Sequence, residues 1–495
     1  MQGTIGRFVV LVSVLALLVG ACGGTTASGS VAPPGSDAPV ASGDASPPAE
    51  SPPAATPLPV TGTQPDEGDV VIRWYCCLGT GDAPEQVEVE LQVAEAFNAS
   101  HEGIHLQFEG FVYTGARDAL ATQLASGNGP DIVGPVGIGG AEAFHGQWLD
   151  LQPHIDRTGL DMSQFPEATV DLYNAGGEGQ LGIPYAVYPS VLFYKADMFK
   201  EAGLAEPPHE WNSDYTMPDG STKPWDYDTV REIAKFLTVD ESGKDATEEG
   251  FDPAKIVQWG FEPQRDDLRQ TGAYFGAGAF MAADGKTVQI PEPWVAAWKH
   301  FYDGIWTDHF SMTGPIFETT DINPAGYPFC AGKVAMSTNY LWSTYCISDA
   351  GDDWNMAATP SHNGTTTAAF NADTWRIMKS SKNPEQAFEV LQYLLANEEL
   401  LSLYGGTPAV ESKQDAFLEA LFADYTQGID WEVAKAGIAF ADVPNFESFM
   451  PAYNQSLDIL NKYGTKWQTT PGLDLTAEIE AMRAEMQAAW DAGGS

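Results

Sequence analysis

The stretch "VVIRWYCCLGTGDAPEQVEVELQVAEAFNAS", Val70 to Ser100, carries two periodicities in succession. Val70 to Tyr75 is apolar apart from Arg73, as a strand covered on both faces requires. Past Gly79 and Gly81, Val87, Leu91, Ala94 and Phe97 fall close to a 3.6-residue period and predict a helix. Asp82, with Pro84 in the first turn and Glu85 three residues on, is the expected cap.

The same rhythm continues outward. "GIHLQFEGF" (Gly103–Phe111) alternates Ile104, Leu106 and Phe108 against polar neighbours and reads as a strand. "ARDALATQLASG" sets Leu120 and Leu124 one helical turn apart and ends at Gly127, and "PDIVGPVG" (Pro130–Gly137) is a short apolar strand. Strand, helix, strand, helix, strand implies an α/β fold with a parallel sheet. Ligands in such sheets sit beyond the C-terminal strand ends. Two candidate ligand loops follow, Cys76–Asp82 and Gly134–Gly140. In "GIPYAVYPSVLFYKADMFKEAGL" (Gly182–Leu204), a long strand through Tyr194 precedes a short helix closed by Gly203. Helical patterns return at Tyr227–Thr238, Pro293–Trp306, Pro384–Tyr404 and Ala477–Gly493.

The N-terminus has one positive charge, Arg7, then an apolar run to Leu18 and small residues to Cys22, which is a secretion signal over residues 1–21. The run is too short to span a bilayer. Val19-Gly20-Ala21-Cys22 resembles a bacterial lipobox, making Cys22 the expected lipid carrier and the only membrane attachment. Residues 22–69, rich in Pro, Gly and Ser, lack the apolar surface to fold and read as a tether. The rest, at 43% hydrophobic and 11% aromatic residues, is long enough for two lobes. A net charge of −44 opposes binding to nucleic acid or anionic head groups. Cys76, Cys77, Cys330 and Cys346 form an even set in an exported chain, which favours disulfides over metal or thiol chemistry. Three pairings are open; the expected ones are Cys330 with Cys346 and Cys76 with Cys77.

Gly79-Thr80-Gly81 lacks the Lys-Ser/Thr ending of a P-loop, and Pro84 replaces the third glycine of a dinucleotide fingerprint. No zinc spacing, nucleophile elbow or His-Glu-x-x-His is present, so no metal, cofactor or catalytic residue is expected. Among so many acids a glycosidase pair stays open, but none stands out.

Several stretches together resemble the extracellular solute-binding proteins of bacterial carbohydrate ABC importers, family 1, the class of maltose-binding protein. Gly182–Leu204 resembles the family's first inter-lobe crossing. "FCAGKVAMSTNYLW" (Phe329–Trp342) resembles its Gly-Lys-x-Ala-Met motif before a stacking aromatic. "TAAFNADTWRIMKSSKNPEQAFEVLQYLL" (Thr367–Leu395) resembles the second crossing, and Pro130–Gly137 the strand ending at the ligand. The resemblance implies a two-lobe periplasmic-binding-protein fold (type II, Venus-flytrap) with a hinge and an inter-lobe cleft. It places one lobe at residues 70–186 and 358–402 and the other at 187–357 and 403–495.

It also implies an extracytoplasmic monomer that is no enzyme, binding a sugar or oligosaccharide for ABC permease subunits in the membrane. A polyamine, phosphodiester or metal chelate on the same fold, or a secreted glycosidase, are the alternatives. Flat C–H sugar faces want aromatic platforms, and hydroxyls want polar partners. Trp342 matches the stacking position, with Tyr340 beside it and Tyr188 at the first crossing; the plainer reading of each is core packing. Asn371 and Asp373 at the second crossing are hydroxyl partners or backbone caps. Gln264 and Arg265 are contacts from the second lobe or parts of a solvated loop, and Phe449 is an aromatic near the C-terminus. Gly79, Thr80 and Gly134 let backbone approach the ligand, and Asp82 is a cap or a hydroxyl acceptor. Tyr274 and Phe275 read as core. The loop Gly134–Gly140 has no charged side chain, so its contacts are expected from backbone.

Overall fold

The computed structural model describes Leu58 and residues 62–79, 81–175, 178–264, 267–319, 328–347, 353–423, 425 and 428–493. The leader, Cys22, Thr80, Arg265 and the side chain of Cys346 lie outside the described residues. All described residues belong to one compact unit, Pro53–Ser495, and none of their helices is long and apolar enough to cross a membrane.

Two sheets organise this unit. The first contains β1 (Val70–Cys76), β2 (Ile104–Gly110), β3 (Ile132–Gly137), β4 (Ala186–Pro189), β10 (Phe370–Ile377) and β11 (Thr407–Pro408). Its order is β11-β4-β10-β3-β1-β2, with β1 parallel to both β2 and β3. The second contains β5 (Val191–Lys195), β6 (Val239–Asp240), β7 (Ile256–Phe261), β8 (Val334–Asn339) and β9 (Trp354–Ala357), in the order β6-β7-β8-β5-β9.

The strand rhythm read from the sequence is present. Ile72, Trp74 and Cys76 of β1 pack on one face with α1 (Pro84–Ser100) and α7 (Pro384–Leu395). Tyr75 packs on the other face with Ala116 and Leu120 of α2 (Tyr113–Ala125). Burying each such large side chain contributes about 1.5–3 kcal/mol. Gly127, with φ 73°, follows α2 and its N–H donates to Leu124 O at 3.0 Å, as its position implied.

Other readings need correction. The long strand through Tyr194 is two strands in two sheets, parted at Ser190, because the inter-lobe crossing runs through it. The helix expected over Pro384–Tyr404 breaks at Asn397, whose side chain accepts from Leu400 N at 2.9 Å and starts a new helix. The cap of α1 is Ala83, with Gln86 Oε1 accepting from Ala83 N at 3.3 Å; Asp82 instead accepts from Tyr113 N at 2.8 Å and holds the start of α2. The supposed loop Gly134–Gly140 is strand to Gly137 and then a short helix, α3 (Ile138–Glu142). The end of the supposed tether is folded: Leu58 N donates to Gly110 O at 2.9 Å on edge strand β2, and Thr63 N donates to Glu95 at 2.6 Å. The chain passes between the sheets at Pro189–Val191, between Ala357 and Phe370, and beyond Pro408; the expected 357/358 falls within the second of these, and 186/187 and 402/403 lie a few residues before the first and third.

Candidate functional site

In the first sheet β2 lies on one side of β1 and β3 on the other, so the chain reverses its direction of travel between β1 and β3. That is the switch point where α/β sheets open a crevice. Leu78 bridges to Val136 there, and Gly79 follows. A Cβ on Gly79 or Gly137 would meet the carboxylate of Asp373 at 3.3 Å, which places that carboxylate against both strand ends. Asp373 and Asn371 alternate on one face of β10, and Asn371 pairs across the ladder with Tyr188 of β4. Asn371, Asp373 and Tyr188 therefore form one polar row, with Gly79 at its end.

The second sheet brings the aromatic group. Tyr340 follows β8, and the ring of Trp342 stacks on it at 4.1 Å with 13° between planes. The same indole meets Tyr188 edge-on at 5.0 Å, closing the gap between the sheets. Tyr340 is 0% and Tyr188 2% exposed, so both are packing partners, while Trp342 keeps part of its surface open. Burial raises the Tyr340 and Tyr188 hydroxyls well above the usual phenol range, so both stay protonated donors. Gln264 follows β7, and its backbone N–H donates to Thr338 O at 2.9 Å. Its Oε1, like Asn371 Nδ2, is buried without a hydrogen-bond partner among the described residues. Tyr274 and Phe275 are core, as expected.

Two candidates lie elsewhere. Gly134 is inside β3, where a Cβ would strike Trp375 at 2.6 Å, and its carbonyl accepts from Trp74 Nε1 at 2.5 Å; it serves packing. Phe449 stacks on His145 of the first lobe at 4.0 Å. That imidazole lies 3.0 Å from Glu142 and 3.2 Å from Glu178, and the bond to Glu142 raises its pKa.

A cavity of about 390 Å³ separates the lobes, walled by Leu78, Tyr113, Arg117 and Gly139 on one side and Arg269, Glu447 and Tyr453 on the other. Leu78 and Gly139 fall within the two loops expected at the ligand, Cys76–Asp82 and Gly134–Gly140; the other wall residues were not singled out from sequence. Arg269 lies four positions past the candidate Arg265, and Glu447 two before the candidate Phe449. What sequence lacked was the inter-lobe pairing: Gly139 N donates to Glu447 Oε2 at 3.2 Å across the cleft.

The sulfurs of Cys76 and Cys77 lie against each other at the end of β1, and with Glu90 of α1 they bring three potential ligand atoms within 4.8 Å. All three residues are 0% exposed. Burial holds the Glu90 carboxyl well above the ordinary carboxylate range, and Tyr404 Oη donates to it at 2.5 Å.

This arrangement can grip a solute between two walls. The chain is similar in fold to a UspC of M. tuberculosis (TM-score 0.60, 22% identity, covering 85% of this chain and 100% of that one). It is also similar to the ABC substrate-binding protein Lmo0181 from Listeria monocytogenes in complex with cycloalternan (TM-score 0.63, 17% identity, 86% and 99% covered). The Thermus thermophilus maltotriose binding protein bound with maltotriose is a third (TM-score 0.57, 16% identity, 85% and 100% covered). No curated protein sequence matches the chain. The model of the bacterial extracellular solute-binding proteins matches residues 92–427. With the two sheets, the crossings and the cleft in agreement, the chain belongs to the bacterial extracellular solute-binding proteins, a family of binders and not of enzymes.

Proposed function

We propose that the chain is the substrate-binding lipoprotein of an ABC importer, anchored through Cys22, which captures a sugar or oligosaccharide between its lobes and presents it to membrane permease subunits. The observation that carries the sugar reading is the Trp342–Tyr340 stack, an aromatic platform, together with Gln264 Oε1, an acceptor, and Asn371 Nδ2, a donor, both buried without partners among the described residues. Asp373 and the backbone at Gly79 complete the hydroxyl partners. Solved relatives in complex with cycloalternan and with maltotriose support a saccharide. Cys76 and Cys77 form a vicinal disulfide, a fixed apolar plate under the ligand loop, which withdraws both sulfurs from metal binding; Cys330 pairs with Cys346.

Titration of the full chain with a panel of sugars and polyamines, followed by Trp fluorescence and calorimetry, tests this. Saturable sugar binding without product is expected, and Trp342→Ala weakens it about 10-fold, the loss of a stacking contact of roughly 1–1.5 kcal/mol. A response confined to polyamines, or hydrolysis of a glycoside, overturns the reading. Mass mapping of unreduced peptides checks the sulfur pairing, and thiols at Cys76 and Cys77 would refute the plate.

A further inference from the structure

Acidic residues outnumber basic ones 68 to 24 in this chain, yet two arginines and two acids share the wall of the inter-lobe cavity. Arg269, in the first turn of α5 (Leu268–Ala273), is 4% exposed. Its Nη1 donates to Tyr453 Oη at 3.2 Å and its Nη2 to Ser448 O at 2.6 Å, both neutral acceptors. Its Nε–H is buried with no acceptor, and no carboxylate among the described residues forms an ion pair with it. A buried guanidinium without a counter-charge costs several kcal/mol. Arg117 reaches from α2 in the opposite lobe and donates to Asn454 Oδ1 at 3.3 Å, again a neutral group. Tyr453 and Asn454 are consecutive in the first turn of α8 (Tyr453–Thr469), so the two cations approach one spot from two lobes. The acids of the wall are engaged within the protein: Asp267 accepts from Gln270 N at 3.0 Å and Glu447 from Gly139 N at 3.2 Å. Tyr113 stands on the rim at 50% exposure, an aromatic face beside the charge.

We propose that the cleft selects an anionic sugar, a uronate or a sugar phosphate, and that Arg269, assisted by Arg117, is the specificity-determining group. A planar guanidinium with an unused N–H is suited to a carboxylate or phosphate oxygen. The negative charge of the whole chain makes such cations necessary for an acidic solute to enter the cleft. This inference rests on the sugar reading above.

Isothermal titration of the full chain with glucose, glucuronate, glucose 1-phosphate, maltose and digalacturonate tests it. At least one acidic probe is expected to bind about 10-fold or more tighter than its neutral counterpart, and to weaken as salt rises. Tighter binding of the uronates or of the phosphate identifies which anion is meant. Arg269→Gln should abolish the difference, Arg269→Lys should keep part of it, and Arg117→Gln, on an exposed surface, should reduce it about 3-fold. If Arg269→Gln does not fold, the wild-type preference and the other two variants decide. Equal or tighter binding of neutral sugars overturns the inference and leaves the sugar reading standing. No response to any of the five, with a response to polyamines, overturns both.

Discussion

Glu90 shows how one side chain misleads a sequence pattern and then governs a site. It occupies a core-facing position of α1 beside Val93, Ala94 and Phe97, so the fully buried face of that helix is centred there and the expected Val87 and Leu91 are half-buried at its edge. A carboxylate so placed registers as solvent-facing in any periodicity reading, and its partners, Tyr404, 314 positions away, and Cys76, explain it. Its pH behaviour follows from burial. In the unfolded chain it ionises near the ordinary 4.5, while in the fold its pKa is raised well above this. Below that value both states are protonated and the group contributes nothing to pH dependence; as pH rises past it, the unfolded state alone ionises and stability falls until the folded pKa is reached. Glu90→Gln keeps an acceptor for Tyr404 and removes this loss. Its melting temperature should therefore exceed that of the parent at pH 7, and the gap should close below about pH 4.5. A constant gap across that range would show that Glu90 is ionised in the fold.

At the scale of elements, legibility divided by how local the cause was. The strands β1 to β3, helices α1 and α2 and the C-terminal helix α9 (Leu475–Gly493) were readable because their periodicity is written in neighbouring residues. Helix α8 was passed over although Ile459, Leu460, Tyr463 and Trp467 carry its buried face, because polar residues and Gly464 dilute the pattern. The Trp342, Tyr340 and Tyr188 group, Asn371 and Asp373 do meet, since family-like crossings bring β4 and β10 together. The contact of Phe449 with His145 was invisible, because it joins the segment before α8 to the turn after α3. His145 faces Glu142, Glu178, Lys379 and Phe449; the acids raise its pKa and Lys379 opposes them. A raised imidazole contributes fully below its unfolded pKa of about 6.5 and loses that contribution as pH rises through the folded value. Half exposed, the contact is worth at most about 1 kcal/mol. Melting temperature should thus decline by roughly 1–2 °C as pH climbs from 6 to 8, and His145→Gln should flatten that part of the profile. An unchanged slope in the variant would remove His145 from the account.

For the whole molecule the decisive quantity is the balance between lobes held together and lobes apart, because a ligand shifts it only by binding one state better. Among the described residues, contacts across the cleft include the hydrogen bonds of Gly139 N to Glu447 and of Arg117 to Asn454, and the His145–Phe449 stack. Gly139 is the tightest of these, since a Cβ there would sit 2.8 Å from Glu447 Oε1 and 3.1 Å from Tyr453 Oη. A larger side chain acts as a wedge. Because Gly139 lies on a short helix at the cleft face, Gly139→Leu leaves both lobe cores intact and acts on their approach. Each 1.4 kcal/mol by which the wedge disfavours the closed state reduces apparent ligand affinity about tenfold. The variant should show a larger radius of gyration by small-angle scattering without ligand. Saturating ligand should still compact it, but at about 10-fold higher concentration, and the stabilisation of roughly 2.7 kcal/mol expected at 100 times Kd should shift to that higher range. Scattering and affinity identical to the parent would mean that this contact does not hold the lobes, and that closure is set at the crossings beside Ser190 and Phe370.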